Sequence, residues 1–340
     1  MAMLERTRSA PADEDHREVL VGDIGGTHAR FRLLGCSDGR WQVRGDARFP
    51  SASCPSLEAS VERALAALAS SSRGNLRGAW LAVAGPVAGG RGRLTNLDWN
   101  VDAEALARAC RLDEVHVVND LEALAFGMAA LEEDEVLVLQ DGTADATAMH
   151  VVIAVGTGLG VAAWRRRGEV VEVFASEGGH ADLAACNAHE SKVFADLAAR
   201  HGHVSWERVL SGAGLVELYD VLNDPHPQER PGEAAAIARL ACAERDERAS
   251  AATAMFIDVL AGFAGNAALQ WLARGGVYLT GGVVDGLLPL LERERGFMER
   301  FKDKGRMSAL LTELKVGVAL APDLGLAGVG LMARQGRAAT

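Results

Sequence analysis

The feature that most constrains the fold is a pattern of apolar strand, glycine turn and apolar strand that occurs twice. It reads VLVGDIGGTHARFRLL from Val19 and HVVIAVGTGLGVAAWRR from His150. Each copy predicts two antiparallel strands joined by a tight Gly/Thr turn. A third strand is predicted after each copy, over residues 41–49 and 170–174. The repeated plan indicates a duplicated α/β fold.

The segments between the two copies and after them complete two α/β units. Buried strands are predicted over residues 79–83 and 115–118. Apolar residues at helical spacing predict helices over residues 57–69, 102–110, 121–131 and 190–200, and a long helical region over 234–272 that is interrupted at GFAGN. GGVYLTGGVVDGLLPLL predicts a strand, a glycine turn and a helix. Two facing β-β-β-α-β units would create a cleft, which is a favoured place for a ligand.

Composition excludes several functional classes. A chain of 340 residues with 49% apolar residues predicts two domains, or two lobes that share a cleft. A net charge of −11 without a long basic run disfavours a nucleic-acid-binding or membrane-surface protein. Five widely spaced cysteines without a CxxC pair favour neither a disulfide framework nor a zinc site. The polar N-terminus lacks the apolar core of a signal peptide, and no run is long enough for a bilayer. A cytoplasmic protein is predicted.

The two glycine turns are candidate phosphate-binding loops, because backbone N–H groups in such turns can approach an anion closely. The first comprises Gly25, Gly26 and Thr27, and the second comprises Gly156, Thr157 and Gly158. One such turn is common in proteins without a ligand; the pairing favours a polyphosphate. No GxxxxGK[ST] motif is present and no lysine lies near either turn. Mg²⁺ is therefore predicted beside the phosphates, held through water by Asp23 at the end of the first strand.

Two further segments carry groups suited to sugar hydroxyls. VVNDLEALAFGM places Asn119 and Asp120 between a strand and a helix, where an aspartate either caps the helix or takes a proton from a substrate. SEGGHADLA supplies Glu177 and His180, and WERVLSGAGL supplies Glu207 and a Ser-Gly turn. Polyol recognition needs donors and acceptors together, but surface turns have the same composition. The residues alone leave both interpretations open.

Taken together, the chain resembles the bacterial glucokinase family, in the sugar-kinase branch of the actin/hexokinase/heat-shock-70 ATPase superfamily. The resemblance runs over about residues 19–335 in the family's order. It rests on the segments GDIGGTHARF, TNLDW, VVNDLEALA, AVGTGLGVA, SEGGHADLA, GHVSWERVLSGAGL, GGVYLTGGVV, RFKDKGRM and DLGLAGVG. It implies two lobes built from duplicated ribonuclease-H-like (actin/hexokinase-type) domains with an interlobe cleft. The implied domains are a disordered tail over residues 1–17, a small domain over 18–130 plus 321–340, and a large domain over 131–320.

The resemblance also implies roles for matching residues. Asp120 would be the catalytic base on the 6-hydroxyl of glucose, with ATP and Mg²⁺ as cofactors and a homodimer as the assembly. The other sugar contacts would be Asn96 of TNLDW, Asn119, Glu177, His180 and Glu207. Asp23, Gly25, Gly26 and Thr27 would form one side of the phosphate site, and Gly156, Thr157 and Gly158 the other. Gly281 and Gly282 would form the turn beside the adenosine.

One residue departs from the family pattern, and several alternatives stay open. The family's first turn usually reads GGTNAR, and here His28 replaces the asparagine. A related kinase and regulator family with a cysteine-rich zinc motif is disfavoured, since no CxCGxxGC-like run follows EGGH and only Cys186 lies near it. The alternatives are a kinase for another hexose or an amino sugar, a non-catalytic sugar sensor on the same fold, and polyphosphate or ADP as the phosphoryl donor.

Overall fold

The structure is a computed structural model that describes residues 16–68, 75–94, 97–168, 170–223, 230–293 and 296–336. Its strands are β1 (His16–Ile24), β2 (His28–Ser37), β3 (Arg40–Pro50), β4 (Leu76–Val83), β5 (Val87–Ala88), β6 (Arg91–Arg93), β7 (Asn100–Asp102), β8 (Glu114–Asn119), β9 (Val136–Gln140), β10 (His150–Val155), β11 (Leu159–Arg167), β12 (Val170–Ser176), β13 (Gly276–Thr280) and β14 (Val316–Ala319). Its helices are α1 (Leu57–Leu68), α2 (Ala103–Cys110), α3 (Asp120–Met128), α4 (Ala188–His201), α5 (Trp206–Val209), α6 (Gly212–Asn223), α7 (Ala234–Cys242), α8 (Glu247–Trp271), α9 (Gly282–Arg293), α10 (Gly296–Lys302), α11 (Ser308–Thr312) and α12 (Leu324–Arg334).

The chain divides into two compact units. The first unit contains the residues up to Gly127 together with those from Asp323 onward, and the second unit is Met128–Pro322. The domain boundaries predicted from the sequence lie at residues 130/131 and 320/321. The predicted tail over residues 1–17 lies outside the described residues as far as residue 15, and β1 begins at His16.

The first unit is built on a five-stranded sheet in the order β3-β2-β1-β4-β8. β1 to β3 form an antiparallel meander, while β4 and β8 run parallel to β1. The parallel strands place Ile24, Val83 and Asn119 side by side at one edge of the sheet. A small sheet of β5, β6 and β7 follows β4. The carboxyl ends of β1 and β8, where candidate site residues lie, therefore share one edge.

The second unit repeats this topology, which confirms the predicted duplication. Its sheet has the order β12-β11-β10-β13-β14-β9. β10 to β12 form an antiparallel meander, β13 and β14 run parallel to β10, and β9 adds an antiparallel edge strand. The apolar residues of this sheet and of the surrounding helices form one large buried cluster. The mixed α/β class predicted from the sequence is thus the observed one.

The predicted interruption of the long helical region at GFAGN is wrong. The helical region is interrupted earlier, between the end of α7 at Cys242 and the start of α8 at Glu247. α8 then continues through both glycines of GFAGN. The glycines serve close packing instead: a Cβ at Gly265 would lie 2.5 Å from the carbonyl oxygen of Phe301, and one at Gly262 would lie 3.3 Å from the Arg300 guanidinium. Local helix propensity disfavours glycine, but tertiary packing against α10 decides the outcome here.

Among the described residues, one helix is long and apolar enough to cross a membrane. It is α8, and 78% of its most apolar window is buried inside the protein. Its buried residues contact the sheet and helices of the second unit's core. The apolar composition of α8 is accounted for by this buried position.

Candidate active site

Asp23 lies at the carboxyl end of β1, opposite Arg30 of β2. Its carboxylate accepts no hydrogen bond from the part of the chain that the structure describes. Burial raises the pKa of Asp23; Arg30 opposes this effect and Asp323 adds to it. Arg30 itself is engaged in an ion pair with Asp323, at the start of α12. α12 comes close to Asp23, since a Cβ at Gly325 would lie 3.2 Å from its Oδ2. Asp23 is thus a largely desolvated carboxylate without a direct partner.

The raised pKa of Asp23 predicts a pH-dependent stability. A carboxyl whose folded-state pKa exceeds its unfolded value contributes stability that is present below the unfolded pKa and is lost as pH rises through the folded pKa. At neutral pH the ionised Asp23 therefore destabilises the ligand-free protein. We expect Asp23→Asn to raise its melting temperature at pH 7, by an amount that shrinks toward pH ~4. Melting temperatures measured between pH ~4 and pH 7 test this expectation. Asp196→Asn is the control, because Asp196 is an exposed residue of α4. A lower melting temperature for Asp23→Asn at pH 7 would contradict the expectation.

The first glycine turn, residues 25–27, is held by backbone bonds and by one buried serine. The Gly25 N–H donates to the His28 carbonyl oxygen over 3.0 Å. Ser51 closes the turn from the other side: its N–H donates to the Thr27 carbonyl over 3.0 Å, and its hydroxyl donates to the Gly25 carbonyl over 2.7 Å. His28 contributes its backbone oxygen, which any residue could supply. Histidine in place of the family's asparagine is therefore compatible with this turn.

Asn119 and Asp120 lie together at the start of α3, and both accept from the same backbone N–H. The Asn119 Oδ1 accepts the N–H of Leu121 at 2.9 Å, so Asn119 caps α3, and its Nδ2 donates to the Gly85 carbonyl at 2.9 Å. Asp120 is the first residue of α3, and its Oδ1 lies 3.0 Å from the same N–H. The Asn119 side chain thus already donates one hydrogen bond and accepts another within the protein. Its second amide hydrogen is the donor left for the predicted contact with a sugar.

The second glycine turn, residues 156–158, lies beside two helix N-termini in the second unit. The Gly212 N–H, at the start of α6, donates to the Gly156 carbonyl over 2.8 Å. β13 runs parallel to β10 with Thr280 opposite Ala154, so the glycines after β13 lie next to this turn. Gly281 has φ +104°, and a Cβ there would lie 2.4 Å from the Val155 carbonyl oxygen. The N–H groups of Gly212 and Gly214 at the start of α6 are already paired within the protein, with the Gly156 carbonyl and the Ser211 hydroxyl oxygen. The N-terminus of α9 also lies next to this turn, and the first N–H groups of a helix are of the kind that bind phosphate.

Glu207 connects this turn to the histidine of EGGH. Its Oε2 accepts the Leu159 N–H at 3.0 Å, and a Cβ at Gly158 would lie 2.6 Å from the same oxygen. Its Oε1 lies 3.7 Å from Nδ1 of His180, whose Nε2 lies 3.8 Å from a carboxylate oxygen of Glu177. The side chains of Glu177 and His180 are largely exposed. Glu207 therefore has a holding role in addition to any role in sugar binding.

Within each unit, the structure brings most of the predicted residues together. In the first unit Asp23 lies at the carboxyl end of β1 and Asn119 at the carboxyl end of β8. β4 lies between these two strands, so the residues are about 10 Å apart. In the second unit the candidates form one group, made of Gly156, Thr157, Gly158, Glu177, His180, Glu207, Gly281 and Gly282. Asn96 lies outside the described residues. Ser51 has no sequence signal, because the Gly25 carbonyl that its hydroxyl contacts lies 26 residues away in the chain. Ser211 was left ambiguous, although its hydroxyl oxygen accepts the Gly214 N–H at the start of α6, a local pattern that serine before a helix predicts.

Comparisons with known proteins agree on one family. A family profile described as Glucokinase matches residues 20–336. A glucokinase of Pseudomonas paraeruginosa is 38% identical over 93% of this chain and 92% of its own length. A glucokinase of a Nostoc species is 34% identical over 93% of this chain and 98% of its own length. The crystal structure of a glucokinase from an Antarctic psychrotroph superposes with a TM-score of 0.78 at 32% identity, over 94% of this chain and 99% of that one.

Proposed function

The chain belongs to the glucokinase family, and from this membership we propose that it transfers the γ-phosphoryl group of ATP to the 6-hydroxyl of glucose, with Asp120 as catalytic base. The observation that carries the proposal is the family match over residues 20–336, which includes the candidate residues of both units. The second glycine turn adds support from geometry, because a Cβ at Gly156 would meet no protein atom within 4 Å, which leaves space beside the turn for an anion.

Phosphoryl transfer requires mainly alignment and charge stabilisation from a protein. Asp120 is proposed to accept a hydrogen bond from the 6-hydroxyl, which aligns its oxygen with the γ-phosphorus, and to take the proton as the new bond forms. Its position as the first residue of α3 suits an ionised carboxylate, because the helix N-terminus favours negative charge. Asn119 caps the helix and so fixes the backbone that carries Asp120.

The remaining hydroxyls are assigned to Glu177, His180 and Glu207. The exposed carboxylate of Glu177 and the imidazole between the two glutamates can supply the acceptors and donors that a polyol needs. Asn96 and the second amide hydrogen of Asn119 are proposed as further donors. Because Glu207 also holds the second glycine turn, sugar contacts made there would act on the same loop that is proposed to hold phosphate.

Mg²⁺ is proposed beside Asp23, and the residues fit such an ion. A carboxylate oxygen is a hard ligand of the kind that Mg²⁺ prefers, and the Asp23 carboxylate is desolvated and has no direct hydrogen-bond donor among the described residues. Among those residues no cluster of three or more His, Cys, Asp or Glu side chains exists, so an ion there would depend on water and phosphate for its other ligands. When bound, Mg²⁺ would neutralise charge on the β- and γ-phosphates.

Gly156→Ala tests the second glycine turn. A Cβ at Gly156 would meet no protein atom within 4 Å, so the protein alone does not require glycine at this position. We expect the variant to fold with an unchanged melting temperature but to raise the KM for ATP at least tenfold, because the new methyl group occupies space that a phosphate needs. Gly296→Ala is the matched control, since a Cβ there is equally unobstructed. An unaltered KM for ATP in Gly156→Ala would remove this turn from the phosphate site.

A coupled assay tests the proposed function directly. kcat/KM is compared for glucose, mannose, fructose, glucosamine and N-acetylmannosamine with MgATP as donor, and polyphosphate and ADP are then offered in place of ATP. The proposal expects glucose to lead the panel with ATP. A clearly higher kcat/KM for another hexose would make that sugar, and not glucose, the proposed acceptor. Tight glucose binding without turnover by any donor would favour a sugar sensor.

Two further properties stay predictions of the family resemblance: a homodimer and a cytoplasmic location. Sedimentation equilibrium of the purified chain decides the first, with a mass of about twice 35.8 kDa expected.

A further inference from the structure

A cavity in the first unit, here called the arginine cavity, lies away from the candidate residues Asp23 and Asn119. It has a volume of about 680 Å³, within the range of small-molecule pockets. It is lined by the first residues of β1, β4 and β8 and by the last turn of α12. Asp23 and Asn119 lie at the opposite ends of β1 and β8. Along β1, the distance from Val19 in the cavity wall to Asp23 is about 13 Å.

The cavity is cationic although the chain is strongly acidic. Three guanidinium groups line it, from Arg17, Arg77 and Arg334. Within the described ranges, Arg17 and Arg334 form no ion pair, and Arg77 lies 3.7 Å from an exposed carboxylate of Asp113. The one acidic residue in the lining, Glu114, is 3.0 Å from Nε2 of His116. Two of the three arginines therefore form no ion pair among the described residues, and the lining holds three arginines against one glutamate.

The walls of the cavity are aromatic. Trp80 is buried and stacks on the His116 ring with their centroids 4.6 Å apart. The Arg17 guanidinium lies 5.2 Å from the ring centroid of Trp41. Stacking on an aromatic face holds an arginine in place while its N–H groups stay available to a ligand. A cavity that combines three arginines, one of them stacked on an indole ring, with aromatic walls suits a small organic anion better than a free inorganic ion.

We propose that this cavity binds the phosphate group of a small phosphate monoester. A phosphate dianion has three acceptor oxygens, which match several guanidinium forks, and the organic part would lie along the tryptophan walls. The C-terminus of α12 by itself disfavours an anion, but Arg334 in its last turn offsets that charge. The proposal concerns a site separate from glucose phosphorylation and does not depend on it.

Calorimetric titration with glycerol 3-phosphate tests the proposal on the full chain. Glucose and a non-hydrolysable ATP analogue with Mg²⁺ are present throughout to occupy the substrate site. We expect saturable binding of one equivalent, no binding of glycerol, and at least tenfold weaker binding in both Arg17→Gln and Arg334→Gln. Arg108→Gln, an exposed arginine of α2 outside the cavity, should bind as the unmodified protein does.

Three results would overturn the proposal: no saturable binding at millimolar probe, equal binding by Arg17→Gln, Arg334→Gln and Arg108→Gln, or equally tight binding of citrate. The last result would indicate a general polyanion site. Melting temperatures of the variants establish that each is folded. Because the readout is binding, a failure of this proposal is distinguishable from a failure of the kinase assignment, which is measured by turnover.

Discussion

Asp120→Asn is expected to lower kcat for glucose phosphorylation about 10²–10⁴-fold while glucose still binds. The amide has nearly the shape of the carboxylate and can still hydrogen-bond a hydroxyl, but it cannot take the proton. Asn119 continues to cap α3 in this variant, so the helix start should persist. Stability should change by only about 0.3–1 kcal/mol, through the loss of a negative charge at the helix N-terminus. Steady-state kinetics and calorimetric titration with glucose measure the two effects separately.

Asp196→Asn is the control for this variant, because Asp196 is an exposed aspartate on α4. It should match the unmodified protein in kcat, glucose affinity and melting temperature. Near-normal kcat in Asp120→Asn would exclude Asp120 as the base. A loss of glucose binding equal to the loss of kcat would assign Asp120 to binding alone.

Gly328→Ala is expected to lower the free energy of unfolding by about 3 kcal/mol or more. A Cβ at Gly328 would lie 1.7 Å from the Ala123 carbonyl oxygen, and one at Gly127 would lie 2.1 Å from the Leu324 carbonyl oxygen. α3 and α12 therefore meet backbone to backbone. An added methyl group cannot be accommodated by a side-chain movement, so the two helices must separate. Urea denaturation followed by circular dichroism measures the change.

Gly286→Ala is the matched control for Gly328→Ala, since both glycines lie inside helices. A Cβ at Gly286 would lie 3.6 Å from the Cβ of Ala238, an ordinary contact. Alanine is the better helix former, so this variant should gain about 0.5–1 kcal/mol. If Gly328→Ala were as stable as the unmodified protein, α3 and α12 could not pack as described, and the contacts of Ala123 and Gly127 with α12 would need revision.

Most strands and helices of this protein could be predicted from periodicity, and the main error shows the limit of that approach. The strands around both glycine turns stand out because apolar runs alternate with Gly and Thr. GFAGN was wrongly predicted to interrupt a helix, because local propensity carries no information about α10, which packs against those glycines. Local pattern reports what a segment prefers, while distant contacts decide whether the preference is followed.

The candidate site could be predicted as a set of residues but not as an arrangement. Asp120 was predicted with two possible roles, and only the structure shows that Asn119 and Asp120 both accept from the Leu121 N–H at the start of α3. Glu207 was predicted as a sugar contact, whereas its bond from the Leu159 N–H, which joins residues 48 apart, is seen only in the structure. Ser51, which closes the first glycine turn 26 residues away from Gly25, has no sequence signal.

The sequence by itself determined the duplicated α/β plan, the identity of the two glycine turns and the chemistry of the side chains near them, because these follow from local composition and period. The tertiary structure decided the long-range contacts. Ser51 contacts the first turn, Glu207 contacts the second turn, Gly328 packs against Ala123, and three arginines line one cavity of the first unit. The physical reason is that strand pairing and helix packing join residues far apart in the chain, and the energy of each contact depends on both partners.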